Sequence, residues 1–364
     1  MSKQIGILTA DGDSPGLNAA IRAFGKAAIG QYGYKITGFL DGFHGLRMNN
    51  SIEMVKSDFS GILTAGGTKL GTSRELIQDL SPLKKTIQEH GLDGLVCFGG
   101  SETQKLALRL KHEGVNVITL PKSITNHIAA TENCVGFDSA LTIAAESIDR
   151  LHTTAHSHHR IILVEVMGED SGWLALGAGI TGGADVILIP EIPYQVDKVA
   201  AAILERSSKG KRFSLVAVSQ GAMSEEDNRF FSKAHQVNQY LRGGKNNYKE
   251  VEDQLVEIEE DFTGKSIDLA HRLSQATNIE TRITILGFLQ RGGAPTPTDR
   301  MLATMLGTMS AKFAAEGQWG VMTAFVAGKA VAVNLEDVAG KSKPVPLDHA
   351  WVRAARSVGT NLGD

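Results

Sequence analysis

The sequence is poor in the features that mark several broad classes of protein. It has two cysteines among 364 residues, Cys97 and Cys134, and no C-x-x-C pair. A disulfide framework is therefore excluded, and a reduced cytosol is the expected compartment. No apolar run approaches the roughly 18 residues that a membrane helix needs. No signal peptide precedes Ile5, so we expect neither a membrane span nor a secreted protein.

An excess of charge of either sign is missing as well. The chain has 37 lysines and arginines against 40 aspartates and glutamates, which gives a formal net charge of −3. Dedicated nucleic-acid binders and anionic-membrane binders usually carry a basic excess, so both classes are disfavoured. Hydrophobic residues make up 42% and charged residues 21% of the chain, the balance of an ordinary globular protein. Its length allows two domains.

Glycine is abundant, at 40 residues, and much of it falls in turns that follow apolar runs. The apolar residues 5–8 lead into a turn over 11–16 and a helix-like segment over 17–28. This is the geometry of a phosphate site, because glycines let the backbone approach an anion and the N–H groups of a helix start bind it. The alternative is a plain connection with Ser14 or Asn18 as the helix cap.

Turns of this type recur along the chain. Residues 61–68, GILTAGGT, repeat the chemistry of residues 6–13, GILTADGD, and are predicted as a second strand-to-turn unit that leads to Arg74. A predicted strand over 94–98 ends in a Gly-Gly-Ser-Glu turn, and another over 115–120 ends in the loop 121–127. Ligands bind beyond the carboxyl ends of parallel strands, so four such loops predict one site built from several loops.

Strands and helices alternate along the chain, which predicts a doubly wound α/β fold with mainly parallel sheets. A second α/β set begins near Phe137. Residues 41–48 are predicted as a glycine-rich loop, and residues 225–276 as a helical excursion on the surface. Two short β-like runs near the end, 324–327 and 330–334, predict a C-terminal extension that packs on the second lobe.

Six stretches in this order resemble motifs of the phosphofructokinase family. They are LTADGDSPGLNAAIR, GGTKLGTSR, PKSITNH, AHSHHRIILVEVMG, the pair SGW and GGADVILIPE, and ETRITILGFLQRGGAPTPTDR. The resemblance covers nearly all of the chain before the C-terminal extension. It implies two Rossmann-like lobes: a donor-binding lobe over 1–137 and roughly 262–305, and a sugar-phosphate lobe over 138–261 and roughly 306–364.

The same resemblance implies a reaction and its participants. The family transfers a phosphoryl group from ATP, or from pyrophosphate in some members, to the 1-hydroxyl of fructose 6-phosphate with Mg²⁺. Its members usually form homo-oligomers, dimers or tetramers. The residues assigned to the donor are Asp11, Gly12, Asp13, Gly16, Arg74, Gly99, Gly100, Ser101 and Glu102. Those assigned to the sugar phosphate are Arg160, Met167, Gly168, Gln220, Arg282, Phe288 and Arg291.

The reacting centre departs from the family pattern. Thr125 stands at the position of the catalytic base, and a threonine hydroxyl has no useful basicity near neutral pH. His127 and Ser101 replace two further aspartates of the family. Glu169 replaces the arginine that faces the donor phosphates, and Asp11 replaces the first glycine of the opening loop.

Two interpretations remain open. In the first, the site has been rebuilt: Asp11 and Glu102 hold Mg²⁺, Arg74 clamps the donor, and His127 is the base, with an ordinary pKa of about 6.5. In the second, phosphoryl transfer is lost, and the chain is a sugar-phosphate-binding or regulatory paralog of an active partner. Whatever the function, the plain alternative for Asp11 and Glu102 is a favourable charge at a helix N-terminus, and that for His127 is a solvated loop histidine.

Overall fold

A computed structural model of the chain describes residues 2–229 and 265–364. These residues divide into two compact units. Unit 1 comprises Met1–Leu141 and Phe288–Lys343, and unit 2 comprises Thr142–Gly287 and Pro344–Asp364. Within the described ranges, no helix is both long enough and apolar enough to cross a membrane. The predicted helical excursion lies, from 230 to 264, outside the described residues.

Strands and helices alternate along the described chain, as the sequence predicts. The strands are β1 (Gln4–Thr9), β2 (Lys35–Phe39), β3 (Ser51–Met54), β4 (Gly94–Gly99), β5 (Val117–Pro121), β6 (Ile161–Val166), β7 (Val186–Leu188), β8 (Ser214–Ser219), β9 (Thr281–Ile285), β10 (Val321–Val326) and β11 (Lys329–Asn334). The α-helices are α1 (Leu17–Tyr32), α2 (Gly42–Met48), α3 (Ser81–Glu89), α4 (Ser101–His112), α5 (Phe137–His158), α6 (Trp173–Thr181), α7 (Val196–Ser208), α8 (Lys265–Thr277), α9 (Pro297–Ala315) and α10 (Ala350–Ser357). Short 3₁₀ helices span Lys56–Phe59, Gly287–Arg291 and Leu335–Asp337.

Unit 1 is built on a seven-stranded sheet with the order β11-β10-β5-β4-β1-β2-β3. Its five central strands are parallel, and β3 and β11 close the two edges as antiparallel strands. Every residue of β4 is buried, because helices cover both faces of the sheet. Val96 and Phe98 pack with α1 and α9, whereas Leu95 and Cys97 pack with α2, α3 and α4.

Unit 2 is built on a four-stranded parallel sheet with the order β7-β8-β6-β9. Its apolar strand residues pack with α7 and α8. The C-terminal residues 344–364 belong to this unit, where the Trp173 ring lies edge-on to His349 and Trp351, with centroids 4.8 and 5.7 Å away. This part of the C-terminal extension therefore packs on the second α/β set, as expected.

The division of the chain differs from the predicted lobes. Residues 306–343 belong to unit 1, and residues 265–287 belong to unit 2. The reason is strand pairing: β10 is apolar and pairs in parallel with β5, and β11 folds back on β10. The two β-like runs near the end therefore extend the first sheet. Which ligand each unit binds stays a prediction.

Two local predictions are wrong. Residues 41–48, predicted as a loop, contain α2, whose Phe43 and Leu46 are buried one helical turn apart. Residues 61–68, predicted as a strand and turn, form turns and irregular backbone. The sequence of apolar residues is the same there as in β1, but among the described residues the segment pairs with no strand.

Candidate functional site

The carboxyl ends of β1, β4 and β5 lie side by side at one edge of the unit 1 sheet, because these strands are parallel neighbours. The segments that follow them are the opening turn (residues 10–16), the start of α4, and the loop 122–127. Three of the four loops predicted from the sequence therefore begin at one edge of the sheet.

The opening turn uses left-handed backbone. The φ angle is +62° at Asp11, +82° at Gly12 and +97° at Gly16. Glycine adopts such angles without strain, and aspartate tolerates them. The backbone N–H of Gly12 donates to Thr72 Oγ1 at 3.1 Å, and that of Asp11 donates to the Ser73 carbonyl at 3.1 Å. The turn is thus held by the loop that leads to Arg74.

Asn18, in the first turn of α1, fixes that second loop (residues 65–74). Its Nδ2 donates to the carbonyls of Ala65 and Gly66 at 3.3 and 2.9 Å, and its Oδ1 accepts from the Lys69 N–H at 2.7 Å. The same loop has no room for a side chain at Gly66, because a Cβ there would lie 2.1 Å from the carbonyl oxygen of Gly293. Asn18 is therefore a clamp for this loop, and the alternative in which it caps α1 is wrong.

Two guanidinium groups converge on Gly12. A Cβ there would lie 3.3 Å from Nη2 of Arg74 and 3.5 Å from Nη1 of Arg291. Nε of Arg291 is 3.3 Å from Oδ1 of Asp13, and its guanidinium carbon is 4.1 Å from the Phe288 ring centroid. Guanidinium forks beside bare glycine backbone suit phosphate oxygens. Arg291, predicted for the sugar phosphate, lies beside the opening turn.

The Asp11 carboxylate caps α4. Its Oδ2 accepts hydrogen bonds from the backbone N–H and from Oγ1 of Thr103, both at 2.7 Å. Thr103 is the third residue of α4, where a backbone N–H has no partner within the helix. The N-cap residue itself is Gly100, which has no side chain to supply the bond. Asp11 is thus a helix N-terminal carboxylate, as its plain alternative expects, and the helix that it caps is α4.

Lys122 lies buried beside the opening turn. It is 4% exposed, and its Nζ donates to the carbonyl oxygen of Asp11 at 2.6 Å. Burial lowers the pKa of Lys122 to about 8; the charge of Asp11 opposes this shift and that of Arg74 adds to it, with smaller effects from Asp13 and Arg291. We call these five residues the opening-turn cluster. It contains three cationic side chains and two carboxylates.

Ser101 and Glu102 are the first two residues of α4. The carboxylate of Glu102 lies 2.7 Å from Nζ of Lys105, and both side chains are about half exposed. In the part of the chain that the structure describes, no group of three or more His, Cys, Asp or Glu could hold a metal ion. Asp11 and Glu102 each have another partner, so the geometry gives no support to the predicted pairing of the two on Mg²⁺.

Three side chains of the loop 122–127 are joined by hydrogen bonds. Nδ1 of His127 lies 2.9 Å from Ser123 Oγ and 2.7 Å from Thr125 Oγ1, and the two hydroxyls are 3.2 Å apart. The backbone N–H of Thr125 donates to Ser123 Oγ at 3.2 Å. A neutral Nδ1 that accepts from either hydroxyl carries its proton on Nε2. His127 is half-buried and bonded within its loop, and the choice between a base and a solvated loop histidine stays a prediction.

Unit 2 contains the other two arginines predicted for the sugar phosphate. Nε of Arg160 lies 2.6 Å from one carboxylate oxygen of Glu280, and Arg282 forms an ion pair with the other. Arg160 precedes β6 and Arg282 lies in β9, which are parallel neighbours. The structure therefore brings these two arginines together on one carboxylate, that of Glu280, which the sequence interpretation missed. The sequence feature that could have pointed to Glu280 is the Glu-Thr-Arg triplet over residues 280–282, which leads into β9.

The loop after β6 carries two more predicted sugar contacts. Gly168 has a φ of +147°, and its carbonyl accepts from Ser219 Oγ at 2.6 Å and from the Gly221 N–H at 2.8 Å. These bonds join the loop after β6 to the loop after β8. Met167 is half-buried and Gln220 is exposed. Met167 precedes Gly168, and Gln220 lies between Ser219 and Gly221. The predicted sugar-contact residues therefore lie in two loops that hydrogen bonds join.

Asp299 is a second residue that the sequence interpretation missed. It is 1% exposed and accepts from the Gly136 N–H at 2.9 Å, the Ser139 N–H at 2.8 Å and Ser139 Oγ at 2.6 Å. Burial raises the pKa of Asp299, and these hydrogen bonds oppose the shift. The carboxylate therefore caps α5 from α9. Its local signal is the Thr-Pro-Thr-Asp run, in which Thr296 is the N-cap of α9.

Comparison with known proteins gives matches over the whole chain. A family model described as Phosphofructokinase matches residues 4–314. The chain is 49% identical over 379 residues to the ATP-dependent 6-phosphofructokinase of Propionibacterium freudenreichii subsp. shermanii, with 100% of each covered. It is 45% identical over 377 residues to the ATP-dependent 6-phosphofructokinase of Spirochaeta thermophila, with 100% of this chain and 98% of that protein covered.

A solved structure gives the same result for the fold. Phosphofructokinase from Saccharomyces cerevisiae superposes with a TM-score of 0.77 at 27% identity, over 99% of this chain. The chain spans 46% of the length of that yeast chain.

Proposed function

Because the chain belongs to the phosphofructokinase family, we propose that it binds fructose 6-phosphate and transfers phosphate to the 1-hydroxyl of that sugar inefficiently. The proposal is carried by Thr125, which the family resemblance assigns to the position of the catalytic base and whose hydroxyl is hydrogen-bonded to His127. The donor is ATP or pyrophosphate with Mg²⁺. The relatives named ATP-dependent 6-phosphofructokinases favour ATP.

The paired arginines of unit 2 support the sugar-phosphate side of the proposal. Arg160 and Arg282 share the carboxylate of Glu280, and Arg282 is 62% exposed. A phosphate group carries more charge than a carboxylate and offers three oxygens, so it competes well for two guanidinium forks. Arg291, stacked on Phe288, is the third arginine that the family resemblance assigns to this ligand.

The reacting centre supports slow transfer. Phosphoryl transfer needs a positioned acceptor hydroxyl, a carboxylate near it and cationic groups around the transferred phosphate. Loss of a general base costs about 10²–10⁴-fold in rate, and Thr125 supplies none. Mg²⁺, when bound, neutralises charge on the donor phosphates, and the Ser101 hydroxyl is a poorer ligand for it than a carboxylate. The exposed carboxylate of Glu169 adds negative charge where the family has an arginine.

A rebuilt site with His127 as the base is the second candidate, and the hydrogen bond from Thr125 Oγ1 to Nδ1 favours it. In this mechanism the sugar 1-hydroxyl passes its proton to Thr125 Oγ1, which passes its own to Nδ1. The sugar oxygen bonds to phosphorus as the bond to the leaving phosphate oxygen breaks. Activity should then fall below about pH 6, where the imidazole is protonated, and His127→Ala should remove it. Full activity in that variant excludes the mechanism.

Binding of the sugar phosphate is tested without turnover. Fructose 6-phosphate should raise the melting temperature of the wild type by mass action. Arg160→Gln and Arg282→Gln should each weaken binding about tenfold or more, since each removes a charge-assisted contact. Arg229→Gln is the matched control, because Arg229 forms an exposed ion pair with Glu225 on the surface of unit 2. A flat response of the wild type at millimolar sugar phosphate contradicts the proposal.

We also propose the assembly and location that the family resemblance implies. The chain forms a homo-oligomer, either a dimer or a tetramer, in the cytoplasm. If transfer is negligible, its role is to bind sugar phosphate and modulate an active paralog. Light scattering of the purified protein measures the oligomer, and a single-chain mass contradicts this assembly.

A further inference from the structure

Several features of the opening turn favour an anion. The guanidinium groups of Arg74 and Arg291 approach Gly12, which presents bare backbone. The buried amine of Lys122 reaches the carbonyl oxygen of Asp11 from within the unit. The start of α4 adds the positive end of a 12-residue helix. Each of these groups contacts the opening turn within residues 11–13, so together they favour negative charge there.

The negative charge already present comes from the chain itself. Oδ2 of Asp11 takes both the backbone N–H and the hydroxyl of Thr103, each at 2.7 Å. Asp13 lies 3.3 Å from Nε of Arg291. A Cβ on Gly100 would be only 3.2 Å from Oδ2 of Asp11, so the carboxylate lies directly against the N-cap backbone of α4. Asp11 therefore occupies two donors at this helix end, both of them from Thr103.

From this geometry we infer that Asp11 is an internal anion that closes the donor-phosphate position of the opening turn and thereby determines whether a polyphosphate binds there. The inference rests on the proposed function, because it concerns the donor side of the same site. A phosphate oxygen that approaches the start of α4 must displace the carboxylate or remain beside it. Displacing the carboxylate breaks its two charge-assisted hydrogen bonds to Thr103, and binding beside it places the negative phosphate against the negative carboxylate.

The backbone at residue 11 accepts glycine as readily as aspartate. Its φ of +62° lies in the left-handed region, where glycine is the least strained residue and which aspartate tolerates. The same angle makes Asp11→Gly compatible with the fold, because glycine adopts it freely. One substitution can therefore empty the start of α4 without straining the turn.

The test is calorimetric titration with inorganic pyrophosphate and Mg²⁺, in the absence of sugar, on the wild type and on Asp11→Gly. The wild type should bind weakly or not at all. Asp11→Gly should bind at least about tenfold more tightly, since removal of one competing charged acceptor corresponds to roughly an order of magnitude. The affinity gained should fall with added salt. Arg74→Gln in the Asp11→Gly background should reverse the gain.

Asp93→Gly is the matched control. Asp93 immediately precedes β4, at the amino end of the strand whose carboxyl end leads to α4, and its Oδ2 also accepts from a backbone N–H, that of Gln4, at 2.7 Å. The control makes the same change of charge and removes a comparable hydrogen bond, and it should leave pyrophosphate binding as in the wild type. Asp11→Asn keeps an acceptor for Thr103 but removes the charge, so it decides the question if Asp11→Gly does not fold. It should bind more tightly than the wild type.

Three results overturn the inference. The first is a wild type that binds pyrophosphate as tightly as a folded Asp11→Gly variant. The second is a loss, in Asp11→Gly, of affinity that the wild type has, which makes Asp11 a ligand of Mg²⁺. The third is a gain in Asp93→Gly as large as that in Asp11→Gly. The sugar-phosphate experiment is independent, because it measures fructose 6-phosphate binding through Arg160 and Arg282. Failure of that binding rejects the proposed function and leaves the gain at Asp11→Gly to be judged separately.

Discussion

The buried amine of Lys122 makes the stability of unit 1 depend on pH. Burial lowers the pKa of Lys122 to about 8, whereas an unfolded lysine titrates at about 10.4. Between these values the unfolded chain binds more protons than the folded protein, so the free energy of unfolding rises with pH. Below about pH 8 the lysine is protonated in both states, and the whole cost of burying its charge is present.

We therefore expect Lys122→Met to be more stable than the wild type at about pH 7, by up to about 3 kcal/mol at 1.36 kcal/mol per pKa unit. This advantage should shrink towards pH 10. Urea unfolding of both proteins at about pH 7, 8.5 and 10 measures it. Lys312→Met is the control, because Lys312 is an exposed partner of Glu316. A stability difference that is the same at all three pH values contradicts the burial argument.

Three residues of the reacting centre can be returned to the family's chemistry. Thr125→Asp supplies a base, Ser101→Asp a metal ligand, and Glu169→Arg a cation. If these losses and the Asp11 carboxylate limit transfer, the triple variant in an Asp11→Gly background should transfer phosphate about 10²–10⁴-fold faster than the wild type. A coupled assay for fructose 1,6-bisphosphate measures the rate.

The same triple variant with Asp11 retained is the control. It should gain much less, because the carboxylate still occupies the start of α4. Equal rates in the two backgrounds contradict the role given to Asp11. No gain in either background means that the site has changed beyond these four positions.

At the scale of elements, the helices that begin beside the predicted loops are capped from distant parts of the chain. Asp11 caps α4, Asp299 caps α5, and Glu191 accepts from the Gly172 N–H at the start of α6 at 3.0 Å. A carboxylate at a helix N-terminus is favoured by the unpaired N–H groups and by the helix dipole. Here each cap also joins two segments far apart in sequence, so capping fixes the loops as well as the helices.

Asp299 offers the clearest test of this arrangement. Asp299→Ala removes the acceptor for two backbone N–H groups and one hydroxyl in a buried position, so it should lower the free energy of unfolding by about 2–4 kcal/mol. Asp268→Ala is the matched control. Asp268 lies in the first turn of α8 but is exposed, and its loss should cost less than about 0.5 kcal/mol. Chemical denaturation of both variants measures the difference, and equal losses contradict the tertiary cap.

At the scale of the whole molecule, the order of strands and helices along the chain follows from local sequence patterns. Which strands pair with each other does not. Residues 6–13 and 61–68 have nearly the same sequence, yet only the first contains a strand. Residues 5–9 lie between β2 and β4, whereas residues 65–69 are held by the side chain of Asn18. The apolar character of β10 predicts a strand, and only its pairing with β5 assigns it to unit 1.

The candidate site shows the same limit. The order of the motifs predicts the opening turn, the loop 122–127 and the three arginines assigned to the sugar phosphate, because each motif is a short continuous stretch of sequence. The contact of Asp11 with Thr103 joins residues 92 positions apart, and that of Asp299 with Ser139 joins residues 160 apart. Such contacts depend on which strands become neighbours, and no local pattern specifies that. The sequence therefore predicts which charges are present, and the fold determines which of them are already paired.

We have proposed that this chain binds the sugar phosphate of its family but transfers phosphate to it inefficiently. The most direct measurement is the rate of phosphate transfer to fructose 6-phosphate by the purified protein, with ATP·Mg²⁺ and pyrophosphate·Mg²⁺ in parallel. The Propionibacterium relative, 49% identical, is the positive control. We expect rates at least about 100-fold below that control with either donor, the lower end of the cost of losing a general base. A rate within about tenfold of the control with either donor contradicts the proposed function.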